Sequence, residues 1–167
     1  MHTVIVFESI WGNTELIGRE IAGGLGGVRT DVVDAASAPT VLDSEVDLLV
    51  VGGPTHAFSM STEQTRESAK QQGAEHIPAR GIREWIQAHQ SPPRAIAVAT
   101  FDTRVVSPRL PGSAAKKAMK RLVALGYRPL AKPETFGVHG YSGPIADGEL
   151  ERARRWGADL RTLLPAG

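Results

Sequence analysis

Residues 8–14, Glu-Ser-Ile-Trp-Gly-Asn-Thr, follow a short apolar run at 4–7 and lead into Leu16, Ile17, Ile21 and Leu25 at helical spacing. A strand that turns through hydroxyls and a glycine into a helix is suited to an anion. The first amides of the helix have no internal acceptor, and the helix dipole favours negative charge there. Ser9 and Thr14 add hydroxyl donors, and Gly12 lets the backbone close on a ligand. Ile10, Trp11 and Asn13 supply further amides, Asn13 being the only asparagine in the chain. Alone, the loop reads equally well as an N-capped turn.

Two further segments give it company. Residues 52–61 read Gly-Gly-Pro-Thr-His-Ala-Phe-Ser-Met-Ser, in which Pro54, Thr55, His56, Ala57 and Phe58 form a loop able to lay an aromatic over a flat ring. Residues 100–104 read Thr-Phe-Asp-Thr-Arg, and Thr100, Phe101, Asp102 and Arg104 offer amides and polar groups to the edge of a heterocycle. Phosphate, ring face and ring edge together describe one ligand, flavin mononucleotide (FMN). His56 either touches the flavin edge or substrate, as a proton donor, or shapes its turn. Arg104 either faces reduced flavin or is a solvated charge. No side chain is assigned a catalytic role, and the five histidines lack paired metal-ligand spacing, which predicts no metal site.

The elements that must position these segments alternate. Apolar runs at 4–7, 46–51 and 95–99 predict strands buried on both faces, and the more polar 28–33 an edge strand. A fifth extended segment lies within 128–138, where Pro129 and Pro133 exclude a central position. Helices are predicted over about 13–26, after a Ser61–Gln64 capping box, around Ile82, Trp85, Ile86 and His89, after Ser113, and after Asp147 with Leu150, Ala153, Gly157, Leu160 and Leu164 inward. Trp85 and Trp156 read as core, Trp11 as a ligand contact. Residues 62–72 hold no apolar side chain except Ala69, so that helix has almost nothing to bury. Gly23, Gly24, Gly26 and Gly27 end a helix and read as a cap and turn; they do not form a dinucleotide fingerprint. The order predicts a single α/β domain over residues 1–167, a parallel sheet with helices on both faces.

With 167 residues, 41% hydrophobic and 22% charged, the chain reads as globular, and with no cysteine it has no disulfide and no thiolate chemistry. No apolar run reaches membrane length and the first strand starts at once, so a cytoplasmic protein without membrane contact is expected. The net charge of +1 hides an asymmetry: residues 104–133 carry eight Lys or Arg and no acid, whereas residues 1–103 carry 13 acids and seven Lys or Arg. Apolar residues interleave with the basic block at helical spacing, which favours a solvated helix face over a nucleic-acid surface.

The three segments together resemble the flavodoxin family. Residues 9–14 occupy the place of its hydroxyl-rich phosphate loop, with Trp11 where a hydroxyl usually stands. Residues 53–58, Gly-Pro-Thr-His-Ala-Phe, are similar to a segment of flavodoxin-like quinone reductases. The opening at 8–14, the Phe-Asp-Thr-Arg run and the tail from Gly143-Pro to Asp-Gly-Glu-Leu-Glu-Arg-Ala resemble small flavodoxin-domain proteins of actinobacteria. The resemblance implies a doubly wound sheet of five parallel strands in order 2-1-3-4-5, FMN as cofactor and electron transfer. It leaves open a carrier serving a redox partner protein, an NAD(P)H-dependent quinone-reductase-type enzyme, or a flavin-free interaction module, as monomer or homodimer. No tyrosine lies in the third segment to stack on the flavin, leaving Phe58 or Phe101 for that place.

Overall fold

The most apolar runs of the sequence become the middle of a sheet. The computed structural model describes residues 1–166. In chain order its elements are β1 (His2–Phe7), α1 (Asn13–Leu25), β2 (Arg29–Asp34), β3 (Leu48–His56), β4 (Ser59–Met60), α2 (Glu63–Gln71), α3 (Ile82–Ala88), β5 (Ala97–Val105), α4 (Ala114–Ala124), β6 (Arg128–Pro129), β7 (Glu134–Val138) and α5 (Glu149–Leu163). Among these residues no helix is long and apolar enough to cross a membrane.

The sheet has seven strands, not the expected five. The path runs β2-β1-β3-β5-β6, with β7 also beside β5 and β4 beside β3. Two causes account for the difference. The chain at the outer position leaves the ladder between Pro129 and Glu134, so one expected strand becomes β6 and β7, both parallel to β5 in separate registers. Prolines on either side of that break, lacking N–H donors, are tolerated only at an edge. The second cause is β3 running on to His56 and folding back through Ala57 and Phe58 into the antiparallel β4. Apart from β4, every pairing is parallel.

Strand alternation divides the core. Val4, Val6, Leu49, Val51 and Val98 face Ile82, Trp85, Ala118 and Leu122 of α3 and α4. Ile5, Leu48, Val50 and Phe101 face Ile17, Ile21, Leu25, Ala153 and Leu160 of α1 and α5. Ser113 caps α4 as expected, accepting from the Lys116 amide. The other expected caps shift. Thr62, not Ser61, caps α2 and exchanges hydrogen bonds with Thr65. Gly148, not Asp147, precedes α5, and Leu150 is exposed instead of inward.

Gly23 and Gly24 lie inside α1, with only Gly26 and Gly27 past its end. Their purpose is contact: a Cβ on Gly24 would run into the Arg154 backbone, and one on Gly157 into the carbonyl of Ile21. Helices α1 and α5 meet backbone to backbone there. Gly24→Ala is therefore expected to destabilise by about 1–3 kcal/mol, overpacking outweighing the roughly 1 kcal/mol by which a helix prefers alanine. Urea unfolding of both proteins checks this.

His89, at the end of α3, bonds Tyr127 Oη at 2.6 Å and lies against the Trp85 ring. Burial lowers its pKa from 6.5 to about 4. The unfolded chain thus takes up a proton that the folded one refuses, and stability falls as pH drops from 6.5 toward 4. The loss from this one group is on the order of 2–3 kcal/mol. His89→Gln should flatten that part of a pH series of unfolding midpoints.

Candidate functional site

β1 ends at Phe7, and the last bond to its neighbour runs from the Glu8 amide to Gly52 C=O. Beyond it the backbone turns sharply. Gly12 sits in the left-handed region, φ 93°, with open space where a side chain would lie. Ser9 Oγ accepts from the Glu15 amide at 3.3 Å and so covers one orphan donor of α1. Among the described residues nothing accepts from the amides of Ile10, Trp11, Gly12, Asn13 or Thr14. Five consecutive free donors at a helix N-terminus constitute an anion cradle.

A cleft opens beside this loop. Trp11, Asn13 and Thr14 form one wall, Pro54, Thr55 and His56 a second, and Thr103, Arg104 and Tyr141 close it. Arg104 is its only charged lining residue. A second hollow is lined by Ser9, Ile10, Trp11 and Gly12 of the same loop together with Glu15, Asp34 and Glu75, whose carboxylates disfavour an anion there. Thr14 Oγ1 and Thr103 Oγ1 share one hydrogen bond at 2.8 Å. One proton serves that pair, leaving a second hydroxyl proton for a ligand oxygen.

The second and third segments are strand more than loop. β3 and β5 pair in register as far as Pro54 and Thr103, which sends alternate side chains of 100–104 to opposite faces. Thr100 donates to Ala115 C=O, and Asp102 Oδ2 accepts from Ser113 Oγ and the Ala115 amide, so both side chains fix α4, with Asp102 Oδ1 buried and unpartnered among the described residues. Phe101 is wholly buried, edge-on to Phe136 and Trp156, and cannot stack on a ligand as expected. Arg104 donates to Gly112 C=O at 2.8 Å, clamping the 105–112 loop. Ala57 and Phe58 turn with positive φ, which leaves Phe58 half-exposed and both residues outside the cleft lining. Tyr141 brings an aromatic ring to the cleft, 6.0 Å from that of Trp11. Thr103 and Tyr141 were not expected at the site. The alternation of residues 95–105 carried the signal for Thr103, but nothing local marks Tyr141.

His56 Nδ1 lies 3.1 Å from Thr65 Oγ1, and burial together with Arg66 lowers its pKa to about 4. It is neutral at pH 7.

No protein-family model and no curated protein matches the sequence. Solved structures match along nearly all of it. Oxidised Flavodoxin 1 from Bacillus cereus superposes with a TM-score of 0.72 at 17% identity, over 99% of this chain and 100% of that one. For the Streptococcus pneumonia TIGR4 flavodoxin the values are 0.70 and 16%, over 97% and 99%. A flavodoxin from the domain Archaea gives 0.65 and 17%, over 97% of each chain. The chain has a flavodoxin-like fold.

Within this flavodoxin-like fold the residue before the loop anchors a buried ionic cluster that sequence reading missed. Glu8 Oε2 accepts from Ser61 Oγ at 2.5 Å and Oε1 from the Ile82 amide at 2.9 Å. Arg66 donates to Ser61 Oγ at 2.8 Å and pairs with Glu84. Helix α2, with almost no apolar face, is thus held by a buried arginine together with Ala69, which packs against Ile10 and Ala74. Arg66→Ala should cost about 1–3 kcal/mol, the range for leaving a buried polar group such as Ser61 Oγ short of a bond, since Glu84 is partly exposed. Burial raises the Glu8 pKa above 4.5 despite its hydrogen bonds. That contribution is present below pH 4.5 and lost as pH rises through the raised value, so Glu8→Gln should remove this slope from the stability profile.

Proposed function

We propose that this chain binds FMN and serves as a one-domain electron carrier. The observation that carries the reading is the row of five acceptor-free amides at the start of α1, four of whose residues, Ile10, Trp11, Asn13 and Thr14, line a cleft without a carboxylate. These residues fit the cofactor. The amides of 10–14 and the free hydroxyl proton of the Thr14–Thr103 pair would hold its phosphate, in place of the hydroxyl that Trp11 displaces. Thr55, His56, Trp11 and Tyr141 would flank its ring. When bound, FMN would supply the electron-accepting chemistry itself, and the protein binding and electrostatics.

The cleft favours a carrier over an enzyme that delivers protons. At neutral pH His56 is the neutral imidazole, with no imidazolium proton to deliver, and its Nδ1 is engaged with Thr65. Asp102 is turned away into the cap of α4.

Titration with FMN, followed by quenching of flavin fluorescence, tests the reading. Saturation at one FMN per chain is expected, with riboflavin, which lacks the phosphate, binding far more weakly. Thr14→Ala should weaken FMN by about 1–3 kcal/mol, the range for a hydrogen bond to a charged group. Failure to bind FMN, or equal affinity for riboflavin, overturns the assignment.

A further inference from the structure

The eight cations between residues 104 and 133 form a block without a carboxylate. Among the described residues none of them enters an ion pair, whereas seven of the remaining eleven Lys and Arg do. Lys116, Lys117, Lys120 and Arg121 are exposed along α4, and Arg109 is exposed on the loop before it. The same loop carries exposed apolar side chains: Leu110 is 51% and Val106 43% exposed. Phe58, 51% exposed, belongs to the same surface, because Gly112 lies so close to it that a Cβ would strike the Phe58 backbone. Arg104 fixes the loop by donating to Gly112 C=O, and with Tyr141 it lines the cleft. The result is an apolar patch joined to the cleft through Arg104, with an unneutralised basic flank.

We infer that this surface docks an acidic redox protein, which exchanges electrons through the cleft mouth; the inference rests on the carrier reading above. An apolar centre with a charged rim is the anatomy of a protein interface. A single-sign flank concentrates potential that steers an oppositely charged partner and fixes its orientation. Nucleic acid is the poorer occupant: half-exposed Leu110 and Val106 would face phosphates, and the net charge is only +1.

The test is surface plasmon resonance against an immobilised acidic [2Fe–2S] ferredoxin at about 20 and about 200 mM salt, which shortens the Debye length from roughly 20 to 7 Å. Binding at low salt is expected, weakening by about tenfold or more at high salt. The triple variant K116E/K117E/K120E should lose about tenfold or more at low salt, since rim charges act mainly through steering. Acidic side chains in the first turns of α4 suit its dipole, so the variant should fold and bind FMN with unchanged affinity. Leu110→Ser should weaken binding at both salt concentrations.

An unchanged ferredoxin affinity in the triple variant, or no binding by the parent chain, overturns the inference. So does stronger binding of a basic haem cytochrome, of a single-stranded DNA oligonucleotide, or of phosphatidylserine vesicles. Sedimentation showing a dimer that the triple variant abolishes overturns it in favour of a second copy. The FMN titration keeps the two readings apart: intact FMN binding without ferredoxin binding removes the docking surface alone, whereas absence of FMN binding removes the carrier.

Discussion

The carboxyl edge of the sheet is governed by where backbone pairing stops. β1 is hydrogen-bonded on both sides, to β2 and β3, through Phe7. One residue later the ladder is exhausted, and the chain must turn before α1 can satisfy its own donors. The loop between is the place where a buried-strand protein necessarily presents unfilled amides. Gly12 makes the turn sterically cheap, and the doubly wound order puts it beside the reversal point between β1 and β3, where such sheets hold ligands. The cleft follows from that geometry: β3 and β5 stay paired longer than β1 and β3, and their overhang forms its other wall.

Legibility in the sequence tracked how local each signal was. The central strands were readable because residues buried on both faces leave an unbroken apolar run, as in 46–51. Ser113 was readable as a cap because its partner, Lys116, is three residues away. The extent of β3 and β5 was not. Gly52, Gly53 and Pro54 look like loop residues, yet Gly52 is glycine because the Phe101 ring of the adjacent strand occupies the space of its Cβ. That cause lies in a residue 49 positions away, invisible to local pattern. Tyr141 was missed for the same reason, since only tertiary folding lays it beside Trp11.

The Glu8 cluster shows a different limit. Residues 62–72 looked unable to anchor a helix because hydrophobic area was the only anchor considered. Arg66 replaces that area with directed bonds to Ser61 and Glu84, and Gly81 is small enough to let Glu8 and Arg66 approach. A charged side chain does the work of a core residue there because buried Ser61 and half-buried Glu84 both take its bonds. The arrangement joins the end of β1 to α2 and α3, so the phosphate-loop candidate and the helix beside His56 share one rigid support.

The glycine contact between α1 and α5 also sets an order of events on the ribosome. Helix α1 is complete within the first 25 residues, but the face formed by Ile17, Ile21 and Leu25 finds Ala153 and Leu160 only after some 130 further residues are made. The pairing has very high contact order, and such closures come late in folding. Until then that face can pack only on early strand residues such as Ile5, Leu48 and Val50, and the part that α5 covers stays open, a state prone to self-association or chaperone capture. The tail that shields that part also places Gly143 against Asn13 and Tyr141 against Trp11. The cradle is therefore encoded at the start of the message and becomes a finished pocket only once the last helix has docked.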